Sequence, residues 1–177
     1  MSDQHAVSRS YRKLSTFLLS GLFLFLINLQ SVNAQYCASS SSSSFDEVIS
    51  NVTIGSLNNT SVCGTVALGP GSVVNQYSNF TTLAAPSLTV GVTYPASVSV
   101  NTCNGYYGTY VTTYIDWNGD QDFLDAGETV YTSASIPGAA TLTYNVTVPA
   151  GAVPGLTRMR VVHVEYAIPS SCGTYSY

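Results

Sequence analysis

The chain has 177 residues, 45% hydrophobic and only 8% charged, with a formal charge of −4, and this is enough length for one cored domain. Three of its five basic residues lie in the first 13 positions; beyond them Arg158 and Arg160 face eight acids, a formal charge of −6, and no lysine remains. That balance argues against nucleic acid as a partner, because phosphate binding needs clustered Lys and Arg.

Arg9, Arg12 and Lys13 precede an apolar run from Phe17 to Leu29, and Val32-Asn33-Ala34 supplies small residues before Gln35. This predicts a secretory signal peptide over 1–34. The run is too short for a membrane anchor, which needs roughly 20 apolar residues, so no membrane span is expected after cleavage. The expected location is secreted or at the cell surface.

Residues 35–47 form a Ser-rich leading segment, in which Ser39 to Ser44 can bury little and reads as a surface loop. From 48 to 177 the chain reads as a single domain with a period of two. Val52 and Ile54 are a first strand candidate. Leu88, Val90, Val92, Tyr94, Ala96, Val98 and Val100 all fall on even positions, as do Leu142, Tyr144, Val146 and Val148, which places each set on one face of a strand. Val111, Ile115 and Trp117 share odd parity. Between Thr157 and Tyr166 the apolar positions change phase, from Met159 and Val161 to Val162 and Val164, which predicts a β-bulge. No helical spacing follows the leader, and Gly and Pro punctuate the chain at short intervals. An all-β antiparallel β-sandwich, jelly-roll or Ig-like, is the expected fold.

Cys37, Cys63, Cys103 and Cys172 all follow the expected cleavage site. An even number in an exported chain predicts two disulfides; the favoured pairing is Cys37 with Cys63 and Cys103 with Cys172, out of three that are formally open.

Charge concentrates in Asp116-Trp-Asn-Gly-Asp-Gln-Asp-Phe-Leu-Asp-Ala-Gly-Glu128, between two strand candidates. Oxygen ligands at alternate positions suit calcium, which takes six to eight of them. The candidate metal ligands are Asp116, Asn118, Asp120, Asp122, Asp125 and Glu128. The first half has EF-hand spacing, but Gln121 stands where the EF-hand glycine belongs and Glu128 falls at loop position 13. A solvated turn rich in Asp, Asn and Gly shares this composition, yet rarely holds so many acids. Calcium is therefore the expected cofactor, in a structural role.

Catalytic signatures are absent: there is no Gly-x-Ser-x-Gly elbow and no His-Glu-x-x-His. His163 is the one histidine beyond the leader, between Val162 and Val164, where packing is the commoner role. The chain is expected not to be an enzyme.

Tyr36-Cys37, Val48-Ile-Ser-Asn-Val-Thr-Ile-Gly-Ser-Leu-Asn-Asn-Thr60, the run Tyr114 to Glu128, Val148-Pro149, Thr157-Arg-Met-Arg-Val161 and Cys172-Gly-Thr-Tyr-Ser-Tyr177 together resemble the GEVED-domain family of secreted bacterial surface proteins. The resemblance implies an extracellular β-rich module for binding or adhesion, with the acidic loop at the position of a metal site and no catalytic activity of its own. The family's naming motif, Gly-Glu-Val-Glu-Asp, would follow Tyr177, so the domain is expected to be C-terminally truncated. The expected partner is an extracellular glycan or protein. Two other roles compete: a structural subunit of an extracellular assembly that self-associates through an open sheet edge by strand addition, and an accessory domain of a larger secreted hydrolase.

Overall fold

A computed structural model describes residues 35–42 and 46–176, so the expected signal peptide at 1–34 lies outside the described residues. The strands in order are β1 (Ser39–Ser41), β2 (Glu47–Ile54), β3 (Leu57–Thr60), β4 (Thr93–Thr102), β5 (Thr109–Ile115), β6 (Thr129–Thr132), β7 (Ala140–Thr147), β8 (Met159–Glu165) and β9 (Gly173–Tyr175); the described residues include no helix. They form a four-stranded sheet in the order β3-β2-β4-β7, a three-stranded sheet β6-β5-β8, and a two-stranded pair β1-β9. The two larger sheets are antiparallel throughout, and only β1 and β9 run parallel. The fold is all-β, with the antiparallel sheets packed as a sandwich.

Period-two patterning builds the four-stranded sheet directly. Ala96, Val98 and Val100 of β4 lie opposite Tyr144, Leu142 and Ala140 of β7, so one face is apolar while Thr141, Thr143, Asn145 and Thr147 face water. Strand β2 reaches the same face by changing phase. Its register on β4 shifts between Ile49 and Asn51, which lets odd Ile49 pack with even Val52 and Ile54.

Between the sheets lie two apolar clusters. Ile54, Ala96 and Val146 meet Ile115 and Trp117, with Met159 against them; Val98 and Val100 meet Val111, Ile136 and Val161. Trp117 is buried there, as its shared parity with Val111 and Ile115 implied. At about 1.5–3 kcal/mol for each large apolar side chain fully buried, these clusters are the main force holding sheet to sheet.

The three-stranded sheet is covered on its other face as well. Tyr114, Phe123, Val162 and Val164 form a third cluster, lidded by Tyr36 and Tyr175. This corrects the expected bulge in β8. Its pairing with β5 runs in uninterrupted register from Thr109 and Glu165 to Ile115 and Met159, because a strand covered on both faces is apolar at both parities and needs no phase slip.

Three other expectations change. Val90 and Val92 stay about half exposed, and residues before Thr93 belong to a turn, so only the second half of the Leu88–Val100 pattern is strand. The Ser run is not wholly a loop, since Ser39–Ser41 pair with Gly173–Tyr175. Finally, the disulfides are Cys37–Cys172 and Cys63–Cys103, not the favoured Cys37–Cys63 and Cys103–Cys172. Cys63 and Cys103 follow β3 and β4, which flank β2 in one sheet, and Cys63 Sγ lies 3.8 Å from the Thr102 carbonyl. The N-terminal stretch instead crosses to the outer face of the other sheet, where Cys172 lies. Nearness in sequence misled because the stretches around Cys37 and Cys172 share that face.

Candidate functional site

The acidic loop is a long hairpin connection. Strand β5 ends at Ile115 and β6 begins at Thr129, with Tyr114 opposite Thr129. The neck of the loop is closed by two carboxylates that are almost wholly buried, Asp116 and Glu128. Asp116 accepts hydrogen bonds from the Gly119 N–H at 2.6 Å, the Gln121 N–H at 3.1 Å and the Tyr36 hydroxyl at 2.6 Å. Its backbone carbonyl accepts from the Thr157 hydroxyl. Glu128 accepts from the Trp117 N–H at 2.9 Å and the Asp125 N–H at 3.4 Å. Burial pushes the Glu128 carboxyl above its ordinary pKa, against the lowering effect of those N–H donors.

The loop also carries its own apolar anchor. Phe123 is 3% exposed and packs between Tyr36 and Tyr114, with ring centroids 5.1 and 5.9 Å away. Gln121 adopts φ 75°, the left-handed turn that an EF-hand glycine would supply and that costs a side-chain-bearing residue energy. Its N–H bond to Asp116 holds it there.

At the tip, residues at alternate positions repeat one device. Asn118 Oδ1 accepts from the Asp120 N–H, Asp120 Oδ1 from the Asp122 N–H, and Asp122 Oδ1 from the Leu124 N–H. These successive Asx turns leave the second oxygen of each Asp free of a backbone donor. Asp120, Asp122 and Asp125 each offer an oxygen within 4.8 Å of the others, a spacing that can hold a metal ion. The Asn118 amide bridges two of the three, donating to Asp120 Oδ2 at 2.9 Å and Asp125 Oδ2 at 2.6 Å. That hydrogen bond is the chief reason the Asp120 carboxyl titrates below its ordinary range.

Of the six residues singled out in the sequence, four therefore converge at the tip, while Asp116 and Glu128 are taken up by backbone donors at the neck. The three carboxylates fit a hard cation, on an exposed loop with room for water, and the Asn118 amide turns its N–H groups toward two of them where a cation would sit. Tyr36, Thr157, Gln121 and Phe123 were not singled out as builders of the loop. Phe123 alone carried a signal, as an aromatic residue amid acids.

At the other end of β5, Glu165 is 7% exposed. Burial first, then the charge of and hydrogen bond to Glu47 and the charge of Asp46, push its carboxyl up to about 7. His163, two residues earlier, has an Nε2 that is out of solvent and finds no partner among the described residues. Burial lowers its pKa to about 4, so it is neutral at neutral pH.

A disulfide-linked all-β module with an acidic loop between a central strand and its edge neighbour is the class these features define. Residues 110–177 match the GEVED domain family model, a stretch that runs from β5 to the end of the chain and includes the whole acidic loop. The match agrees with the resemblance carried by the motifs of this stretch. No curated protein and no solved structure matches the chain.

Two disulfides accord with an oxidising, extracellular-type environment. Among the described residues no helix is long and apolar enough to cross a membrane.

Proposed function

We propose that the protein is an exported binding or adhesion module without catalytic activity, whose acidic loop is stabilised by calcium. The observation that carries this reading is the convergence of Asp120, Asp122 and Asp125, two of which, Asp120 and Asp125, share the Asn118 amide as donor. Three carboxylates so close repel one another, and a divalent cation relieves that repulsion while tying the loop tip together. Asp120, Asp122 and Asp125 would hold the ion, with Asn118 joining them through its oxygen once its amide turns over, and the ion would supply positive charge and structural order. Asp116 and Glu128 hold the frame to which the tip is attached. The absence of a catalytic role rests on His163, which is neutral, packed in a strand and without an accessible Nε2.

The supporting experiment is a thermal melt in calcium and in chelator. Calcium should raise the Tm of the wild type but not of Asp120→Ala; an equal Tm in both conditions for the wild type removes the reading. A second role, assembly by strand addition, draws support from β7, eight residues long and paired only with β4 among the described residues. Sedimentation velocity separates the two: a monomer at all concentrations argues against assembly.

A further inference from the structure

Arg158 and Arg160 are the chain's only basic residues beyond its first 13 positions, and the fold brings both into one cleft. Two residues apart on an extended segment, they share a face, the one occupied by Phe123 and Tyr36. The cleft, about 570 Å³, is walled by the N-terminal stretch from Gln35, by a loop carrying Gln76 and Tyr77, and by Gln121 of the acidic loop.

The two arginines are not equivalent. Arg160 is committed to the frame: it donates to the Ser171 carbonyl at 2.5 Å and the Cys37 carbonyl at 2.9 Å, with its guanidinium 4.9 Å from the centre of Phe123. The Arg158 guanidinium lies 4.4 Å over the Tyr36 ring and makes no hydrogen bond or ion pair among the described residues, only the backbone carbonyl of Arg158 being engaged, by the Asp116 N–H at 3.1 Å. The ring holds one face of the guanidinium, leaving its in-plane N–H fork available to a carboxylate. The side-chain amides of Gln35, Gln76 and Gln121 are likewise unengaged among the described residues.

We propose that this cleft binds an acidic sugar, with the Arg158 guanidinium on a uronate carboxylate and the glutamine amides on ring hydroxyls. The inference rests on the reading of the protein as a binding module and names its ligand class. Charge decides among anions. A single free cation on residues 14–177, whose formal charge is −6, repels dense polyanions such as double-stranded nucleic acid, whereas a uronic acid carries one carboxylate per ring. The walls decide between sugar and peptide. Paired donors and acceptors on amides match vicinal hydroxyls, and Tyr77 offers a ring for the sugar's C–H face. Gln121 also ties the cleft to the acidic loop, so order imposed on that loop steadies one wall.

Calorimetric titration of the protein with trigalacturonate, its methyl ester and tetraglutamate, in calcium-containing buffer, tests the proposal. Trigalacturonate should bind, the ester and the peptide should not, and Arg158→Gln should weaken binding about tenfold or more, as loss of a charge-assisted pair implies. Gln76→Ala, on a different wall, should weaken it about threefold, the share of one neutral hydrogen bond, and Asp120→Ala should leave it measurable. No binding of trigalacturonate, equal binding of the ester, indifference to Arg158→Gln in a folded variant, or equal binding of tetraglutamate would each overturn it; the last would make the cleft a site for acidic peptides. Abolition by Asp120→Ala with Arg158→Gln silent would mean that calcium bridges the sugar at the loop, and would overturn it too. A failure here beside an intact calcium-induced Tm shift sinks the sugar site alone.

Discussion

The Tyr36 hydroxyl donates to the Asp116 carboxylate at 2.6 Å across 80 positions of sequence, joining the start of the described chain to the neck of its most acidic loop. The Cys37–Cys172 disulfide fixes the neighbouring residue, so the phenol is delivered by a covalent tether. Burial and the Asp116 hydrogen bond push the Tyr36 hydroxyl up to about 12, which keeps it a donor at any ordinary pH. Tyr36→Phe should cost about 1–2 kcal/mol, the value of a hydrogen bond to a charged acceptor plus the stranding of that acceptor. Chemical denaturation with unchanged m-value is the check.

Neck and tip should separate by metal dependence. Asp116→Ala strands the N–H groups of Gly119 and Gln121, and is expected to cost about 2–4 kcal/mol in calcium and chelator alike. Asp122→Ala or Asp125→Ala, at exposed or half-buried tip positions, should lower the Tm in calcium and leave it nearly unchanged in chelator. Paired thermal melts read both.

The Glu165 carboxyl predicts a pH dependence. Its folded pKa, about 7, lies above the ordinary value of 4.5, so between those two values the folded state holds a proton that the unfolded state has released. Stability contributed by this group is therefore complete below pH 4.5 and falls as pH rises through 7. Glu165→Gln keeps the neutral shape, and should raise the Tm at pH 8 by about 3 to 6 °C while leaving it unchanged at pH 4.5. Glu47 and Asp46 are the charged groups that face it; Glu47→Gln should recover part of the same gain.

His163 gives the opposite limb. Its pKa falls from 6.5 to about 4 on folding, so as pH drops below 6.5 the unfolded state takes up protons that the folded state refuses. Stability is present above 6.5 and is lost towards pH 4. His163→Leu should flatten this acid limb in a series of melts from pH 7 to pH 4, with the Glu165 limb unaffected.

Disulfide pairing can be read without a crystal. Digestion of the unreduced, unfolded protein before aspartate residues cuts at Asp46, Asp116, Asp120, Asp122 and Asp125, among other sites, which isolates Cys37, the Cys63 and Cys103 pair, and Cys172 on three separate peptides. Mass spectrometry should find the first joined to the last, and the middle peptide closed on itself. All three joined together would contradict the pairing.

Much of the sandwich was legible because one-sided strands carry a period of two. Leu142, Tyr144 and Val146 against Thr141, Thr143 and Asn145 state their face outright. The central sheet was harder. Strand β8 is apolar at both parities because Phe123 of the acidic loop, Tyr36 and Tyr175 cover its second face, and alternation cannot distinguish such a strand from a bulged one. The disulfides failed for the same reason, since only knowledge of that third layer brings Cys37 to Cys172. In the acidic loop, alternate spacing pointed to Asn118, Asp120, Asp122 and Asp125, all of which share the tip. Asp116 and Glu128 looked identical in sequence, and what sets them apart is burial beneath Tyr36 and Trp117, which no local pattern carries.

Titration calorimetry of the wild-type protein with calcium, beside the Asp120→Ala variant, reaches the central claim most directly. We expect a saturable heat corresponding to one ion per chain in the wild type and none in the variant. A wild type that shows no calcium heat, or a variant that binds as the wild type does, would contradict a metal-stabilised loop.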